Sequence, residues 1–227
     1  MAGERLKVVA DEWPPFSGAE LPSNGISMDV IATVLREAGY EVDVEILPWV
    51  RVINGAKTGE YDVVGSLFFD PEFAKFMTYG DAFYETEVKF VQRKGASHNV
   101  GTLDALRPYT IAVGDGFLYE EKFDRAEFLK KIVVTTTLQA LQMVAHERAD
   151  LTLDSEEVVR HSLRFGAPDI LERVEIIEDA LASHEIHMAV RKDHPKSTEI
   201  VADFNRTLSK MRSDGSLNNI LVKHLTK

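Results

Sequence analysis

The sequence of 227 residues contains no cysteine, so disulfide bonds, thiolate nucleophiles and cysteine metal sites are all excluded. No stretch reaches the roughly 20 uninterrupted apolar residues that a membrane-spanning helix needs. The first residues also lack the apolar segment of a secretory signal, and we expect that a signal peptide has been removed before Leu6. The basic runs are no longer than Lys130-Lys131.

The chain has few positive charges relative to negative ones. It contains 26 Lys and Arg but 37 Asp and Glu, and its formal net charge is −11. Such a chain repels nucleic acid and anionic membranes. We therefore exclude both as partners. The apolar share of 44% is that of an ordinary globular protein.

Short strands alternate with amphipathic helices over the first 67 residues. Apolar residues recur with helical spacing between Ser27, which we predict as the helix N-cap, and Gly39, which we predict to follow the helix end. The pattern predicts a βαβαβ unit with a parallel sheet, in which the remaining segments are the strands 6–10, 42–46 and 61–67 and the helix 50–57.

The same order recurs in the middle of the chain. We predict strands over 109–113, 132–135 and 150–153, and helices over 118–130 and 138–146. The segments Thr58 to Val64 and His146 to Thr152 each place an acidic residue before a buried strand that follows a helix. Two similar lobes are the simplest explanation, and the last 40 residues return to helices separated at Asp214-Gly215.

Candidate binding residues follow the strands, because ligands of parallel sheets lie outside the carboxyl ends of the strands. Three segments qualify: 11–16, 66–70 and 114–117. Their backbone N–H groups would suit an anionic or carbonyl-bearing ligand.

Six segments in order resemble the family 3 extracellular solute-binding proteins, the periplasmic binding proteins of polar amino-acid ABC transporters. The resemblance covers nearly the whole chain and is carried by Leu6 to Asp11 with Pro14-Pro15-Phe16, Gly25 to Gly39, Gly59 to Val64, Gly80 to Tyr84, Ala189 to Pro195, and Met211 to Ser216.

The resemblance implies an α/β protein with two Rossmann-like lobes of the periplasmic binding protein type II, or Venus-flytrap, class joined by two crossing strands. Lobe one would comprise 1–92 and 191–227, and lobe two 93–190. A small solute would bind in the interlobe cleft of a monomer that delivers it to the permease of an ABC transporter. The protein would be periplasmic, or lipid-anchored and extracellular, and would use no cofactor and catalyse no reaction.

The resemblance also implies ligand contacts. Trp13 and Trp49 would stack on the ligand, the turn Gly114 to Phe117 would contact it, and Asp154 would accept from its ammonium group. The full set of predicted ligand-binding residues is Asp11, Glu12, Trp13, Trp49, Arg51, Ser66, Phe68, Phe73, Gly114, Asp115, Gly116, Phe117 and Asp154.

One part of the family pattern is missing. Phe73 occupies the place of the Arg that grips the ligand carboxylate in the family, and Phe68 the place of a hydroxyl. Either the ligand is not an ordinary α-amino acid or another cation supplies the charge, and Arg51 is our candidate for that cation.

Simpler interpretations stay open for these residues. Trp13 and Trp49 could be core aromatics, Arg51 a solvated residue of a helix start, and Asp154 the cap of the helix that follows it. Phe68, Phe69 and Phe73 could be buried between the lobe and the tail.

A metal site is not predicted, because His184 and His187 would face opposite sides of one strand. Two other functions remain open: the ligand-sensing domain of a signalling protein, and a lyase similar to cyclohexadienyl dehydratase on the same fold.

Overall fold

A computed structural model describes residues 3–225 of the chain. The α-helices of this part are α1 (Ile26–Glu37), α2 (Trp49–Thr58), α3 (Glu121–Asp124), α4 (Thr137–Ala145), α5 (Glu156–His161), α6 (Ser197–Asp214) and α7 (Ser216–Leu225). Its strands are β1 (Arg5–Ala10), β2 (Glu41–Ile46), β3 (Val63–Leu67), β4 (Met77–Tyr79), β5 (Tyr84–Arg93), β6 (Thr110–Gly114), β7 (Lys130–Val134), β8 (Leu151–Ser155) and β9 (Val174–Arg191).

The chain divides into two compact units. The first unit is Met1–Glu85 with Glu185–Lys227, and the second unit is Thr86–His184. Both divisions fall inside long strands, β5 and β9. The lobe boundaries predicted from the sequence, after residues 92 and 190, lie in the same two strands.

The sheet of the first unit has the order β2-β1-β3-β9-β4. Strands β2, β1 and β3 are parallel, with Val8 opposite both Val44 and Val63, whereas the end of β9 runs antiparallel to β3 and β4. Helices connect the parallel strands, as the alternating pattern predicts.

Helix α1 buries an apolar stripe that includes Val30, Ile31, Val34 and Leu35. The helix ends before Gly39, whose φ of +102° is a conformation that glycine adopts readily. The predicted N-cap was wrong: the helix begins at Ile26 with Gly25 at the N-cap position. Ser27 is instead buried in the first turn.

The sheet of the second unit has the order β5-β8-β6-β7. Strands β6, β7 and β8 are parallel and β5 is antiparallel to β8. Two apolar cores form in this unit, one containing Leu141, Val144 and Val159 and the other Phe90 and Phe123. The parallel strands again alternate with helices.

The two units share a local detail that the sequence repeat anticipates. In the first unit the Lys7 N–H donates to the Asp62 carboxylate (2.9 Å) and the Asp62 N–H donates back to the Lys7 carbonyl (3.1 Å). In the second unit Thr110 and Asp150 exchange the same pair of bonds at 2.7 and 2.9 Å. Each acid therefore fastens the start of one parallel strand to the segment that leads into another.

The long helix predicted over 118–130 was wrong, because only the single turn α3 forms there. The Asp124 carboxylate accepts from the backbone N–H groups of Tyr119 and Glu120 at 3.0 and 3.1 Å. Lys131 Nζ donates to the carbonyls of Phe123 and Asp124 at 2.6 and 3.0 Å. Lys131 thus satisfies two carbonyls that a continuing helix would have paired, and Asp124 satisfies two N–H groups that precede the single turn.

Candidate functional site

The predicted ligand-binding residues lie in both units, and each set is described within its own unit. In the first unit, the chain leaves β1 at Ala10 and makes a tight loop. The Trp13 N–H donates to the Ser17 carbonyl (2.9 Å), and the N–H groups of Phe16 and Ser17 donate to the Trp13 carbonyl (2.9 and 3.1 Å). This loop holds Trp13 half-buried at the carboxyl end of β1.

Trp13 is brought together with Phe68, the residue that follows the neighbouring strand β3. The two ring centroids are 5.3 Å apart in an edge-to-face arrangement, and the ring centroid of Phe16 lies 4.6 Å from that of Trp13. Both residues follow adjacent parallel strands, which explains their proximity. They form an aromatic surface at this edge of the sheet.

A second aromatic pair forms at the start of α2. Trp49, with 39% of its surface exposed, stacks on the buried Phe73 with centroids 6.1 Å apart and planes at 24°. Phe76 also contacts Phe73, with ring centroids 4.7 Å apart. Phe73 therefore anchors the exposed tryptophan.

Arg51 lies on a different face of α2 from Trp49, because residues two apart point about 200° apart around a helix. It shares its face with Gly55, against which the ring of Tyr61 packs, and the positive charge of Arg51 acts to lower the Tyr61 pKa, which burial and Glu60 raise overall. Arg51 itself is exposed, whereas Tyr61 and Phe73 belong to one buried cluster.

Ser66 interrupts β3. Its φ of +56° is unusual for a residue with a side chain, and the pairing of β3 with β9 shifts register between Val64 and Leu67. The side chain is buried, and within residues 3–225 its Oγ has no hydrogen-bond partner. This break sets the direction of the segment that carries Phe68.

Two acids follow β1 and differ in role. Asp11 is half-buried, and burial raises the pKa of its carboxyl. The negative charge of the adjacent Glu12 raises this pKa further, whereas a hydrogen bond from the Asp11 backbone N–H lowers it. Glu12 is exposed, and its Oε1 accepts from the Ala19 N–H at 2.9 Å, so it braces the loop.

In the second unit, the turn Gly114 to Phe117 follows β6. The Gly114 N–H donates to the Tyr119 hydroxyl (2.8 Å), that of Asp115 to the Val134 carbonyl (2.9 Å), and that of Phe117 to the Gly114 carbonyl (3.3 Å). Only the Gly116 N–H lacks an acceptor among residues 3–225. The prediction that this turn offers several open N–H groups to an anion was therefore wrong.

Phe117 folds back over Gly114. A Cβ added to Gly114 would lie 2.5 Å from the Phe117 ring, so only glycine allows this approach. Phe117 keeps 36% of its surface exposed, and Gly116 has a φ of +72° that glycine tolerates. Asp115 is exposed.

Asp154, near the end of β8, is the most buried acid of the candidate set, with 5% of its surface exposed. It accepts from the Ser155 N–H (2.7 Å) and from the Thr137 hydroxyl. Burial raises the pKa of its carboxyl to about 6, and these two hydrogen bonds only partly oppose the rise. Asp154 does not cap the following helix, since α5 begins at Glu156 with Ser155 at the N-cap position.

Thr137 and Tyr119 belong to this cluster and were missed from the sequence. Burial raises the Tyr119 pKa well above its usual value, and the negative charge of Asp154 raises it further. Thr137 could have been found, because it opens the helix that follows a strand of the same sheet.

The structure was also searched for metal-binding groups and for membrane-spanning helices. Among residues 3–225, no three His, Asp or Glu side chains are grouped so that they could hold a metal ion. No helix in that range is long and apolar enough to cross a membrane.

One protein-family model matches nearly the whole chain. The model of the bacterial extracellular solute-binding proteins, family 3, matches residues 6–227. The arginine-binding extracellular protein ArtP of Bacillus subtilis (strain 168) is 26% identical over 207 residues, which are 89% of this chain and 78% of ArtP.

Two solved structures illustrate the range of this fold. A histidine kinase sensor domain with similarity to periplasmic binding proteins superposes with a TM-score of 0.83 at 18% identity, covering 99% of this chain and 97% of that one. The ancestral amino acid-binding protein AncCDT-1, a precursor of cyclohexadienyl dehydratase, superposes with a TM-score of 0.74 at 21% identity. The superposition covers 96% of this chain and 94% of that one. The predicted fold class is confirmed, and the chain belongs to the bacterial extracellular solute-binding proteins, family 3.

Proposed function

We propose that the protein binds one small polar solute outside the cytoplasm, releases it unchanged, and delivers it to the permease of an ABC transporter. The ligand contacts would come from Trp13, Phe68 and Trp49 of the first unit and from Phe117 and Asp154 of the second. Membership of the solute-binding family supports this proposal, as does the name of ArtP as a binding protein.

The observation that carries the proposal is the environment of Asp154. A buried carboxylate ordinarily has a basic partner or a metal. Asp154 has only a hydroxyl and one N–H as partners within residues 3–225. A ligand ammonium or guanidinium group would supply the missing charge through a hydrogen bond of about 1.5–3 kcal/mol.

A screen with the purified protein tests this function. We expect thermal-shift measurements over amino acids, amines and small carboxylates to give one class with a clear rise in Tm. Calorimetry on that class should give a Kd near 1 μM, about −8 kcal/mol. Mass spectrometry of the compound after incubation should recover it unchanged, whereas a new product would favour the lyase. A flat screen would contradict the proposal.

The affinity should depend on pH in a direction set by Asp154. Its pKa of about 6 means that protonation removes the negative charge as the pH falls. For a ligand that stays cationic throughout, we expect Kd to be constant above pH 7 and to rise about tenfold per pH unit well below 6. Calorimetry from pH 4.5 to 8 measures this. A constant affinity over that range would show that no titrating carboxylate binds the cation.

The sensor alternative has a specific basis, since the histidine kinase sensor domain aligns with 99% of this chain. The gene separates the two roles: a sensor would have a transmembrane segment and a signalling domain encoded in the same reading frame. A transport protein would instead restore solute uptake when it is returned to a cell from which its gene has been deleted.

A further inference from the structure

Strands β6 and β8 of the second unit separate just before the candidate binding residues. The last pair of their ladder is Ala112 with Thr152, and continuing that register by two residues places Gly114 opposite Asp154. The Asp115 N–H donates to β7, and neighbouring N–H groups of a strand point to opposite sides. The Gly114 N–H therefore points towards β8, beyond the last pair of the ladder, and needs another acceptor.

The hydroxyl of Tyr119 supplies that acceptor, because it accepts from the Gly114 N–H at 2.8 Å. The side chain of Tyr119 is buried. Burial raises the Tyr119 pKa, and the negative charge of Asp154 raises it further, as expected for a hydroxyl that lies between the two separating strands. The Tyr119 ring also contacts that of Phe117, with centroids 6.3 Å apart. One side chain thus contacts both the first and the last residue of the turn after β6.

Tyr119 is itself fixed by contacts outside this turn. Its backbone N–H donates to the Asp124 carboxylate at 3.0 Å, and its carbonyl accepts from His184 Nε2 at 2.5 Å. Its ring meets the buried ring of Phe123 edge to face, with centroids 5.9 Å apart, and both belong to one apolar core of the second unit. The hydroxyl therefore has a defined position from which it can hold Gly114.

We propose that Tyr119 is a positioning residue of the ligand site: its hydroxyl fixes Gly114, and the fixed glycine holds the Phe117 ring where the ligand contacts it. The inference rests on the proposed binding function and adds to it a residue that acts through another. The Phe117 ring rests directly against Gly114, since an added Cβ there would lie 2.5 Å from the ring. Without the hydroxyl, the Gly114 N–H loses its acceptor and the turn adopts its binding conformation for a smaller fraction of the time, which weakens the apparent affinity.

Tyr119→Phe tests this role, because it removes the hydroxyl and keeps the buried ring. The probe is the amino acid, amine or small carboxylate that raises the Tm most in the screen. We expect calorimetry at pH 7.5 to give a Kd about fivefold higher than that of the wild type. An unchanged Kd would overturn the inference and leave the binding function intact.

Tyr109→Phe is the matched control. Tyr109 lies in the same unit, and its hydroxyl also accepts from a backbone N–H, that of Asn99 at 3.1 Å. Urea denaturation should show comparable losses of stability in the two variants, whereas the control should keep its Kd within about twofold of the wild type. A Kd raised equally in both variants would show that general loosening of the unit, and not the position of the turn, weakens binding.

A double-mutant cycle with Phe117→Leu separates positioning from support of the fold. That substitution keeps an apolar side chain but removes the ring that rests on Gly114. If Tyr119 acts through Phe117, adding Tyr119→Phe to this variant should raise the Kd by less than about twofold. The same fivefold rise with and without the ring would overturn the inference. Absence of binding by the wild type to every compound would reject both the proposed function and this role of Tyr119.

Discussion

Replacing Asp154 with Asn should abolish most ligand binding and, at the same time, stabilise the unliganded protein at pH 7. Binding should weaken about 10- to 100-fold, because the charge-assisted hydrogen bond to the ligand cation is lost. Such opposed effects are expected where a buried charge is kept for function at the expense of stability.

The stability effect follows from the raised pKa of Asp154. The folded protein holds this proton more tightly than the unfolded chain, so the group favours folding below about pH 4 and loses that contribution as the pH rises through about 6. At pH 7 the charged carboxylate therefore costs about 3 kcal/mol. Asn removes this cost and gives up one of two accepted hydrogen bonds, about 1 kcal/mol, for a net gain of about 2.

Urea denaturation of wild type and the Asn variant at pH 7 and at pH 4 measures the gain. The difference should shrink at pH 4, where Asp154 is protonated. Asp169→Asn is the matched control, because it makes the same change at an exposed position of the same unit and should alter the free energy of unfolding by less than about 0.5 kcal/mol. A loss of stability in Asp154→Asn at pH 7 would contradict the prediction.

Replacing Gly25 with Ala should destabilise the protein by about 3 kcal/mol or more and weaken ligand binding. Gly25 has φ +98° and ψ 175°, a region nearly restricted to glycine. An added Cβ would lie 2.6 Å from the Phe16 carbonyl oxygen and 2.8 Å from that of Pro15. Those carbonyls accept from Ser27 and Ile26 at 2.9 and 3.0 Å. The substitution would therefore push the Trp13 loop away from α1.

Gly39→Ala is the matched control for that substitution. Gly39 has a similar φ of +102°, but an added Cβ would meet nothing within 4 Å. The control should lose only about 1 kcal/mol, the conformational cost alone. Urea denaturation of both variants and calorimetry with the best compound of the screen measure the two effects. Equal losses of stability in the two variants would show that the carbonyl contacts do not matter.

The sequence predicts the elements whose periodicity and packing agree. The stripe of α1 and the alternation of β2 are both found, because α1 and β2 each bury one side: α1 against the parallel sheet and β2 as an edge strand of that sheet. The helix over 118–130 was wrong although Tyr119 and Phe123 are both buried. Asp124 and Lys131 there bond the backbone, and such bonds depend on the folded chain and leave no periodic signal.

In the candidate site, too, some features could be predicted from the sequence and others could not. Trp13 and Phe68 could be paired from sequence, since both follow adjacent parallel strands. The surroundings of Arg51 could not be read, because they depend on the packing of Tyr61 against Gly55 of the same helix. Tyr119 lies near Asp154 because the chain bends after β6. No sequence motif predicts this bend.

The path of the chain through β5 and β9 bears on the order of folding during synthesis. The second unit is one uninterrupted segment and has all its residues once His184 has left the ribosome. The first unit must wait, because β3 pairs with residues near Val190 and α1 is held by Lys223 and His224 bonded to Asp29 at 2.8 Å. Nascent chains stopped when His184 has left the ribosome but Val190 has not should therefore resist protease in the middle third while the aminoterminal third is still digested.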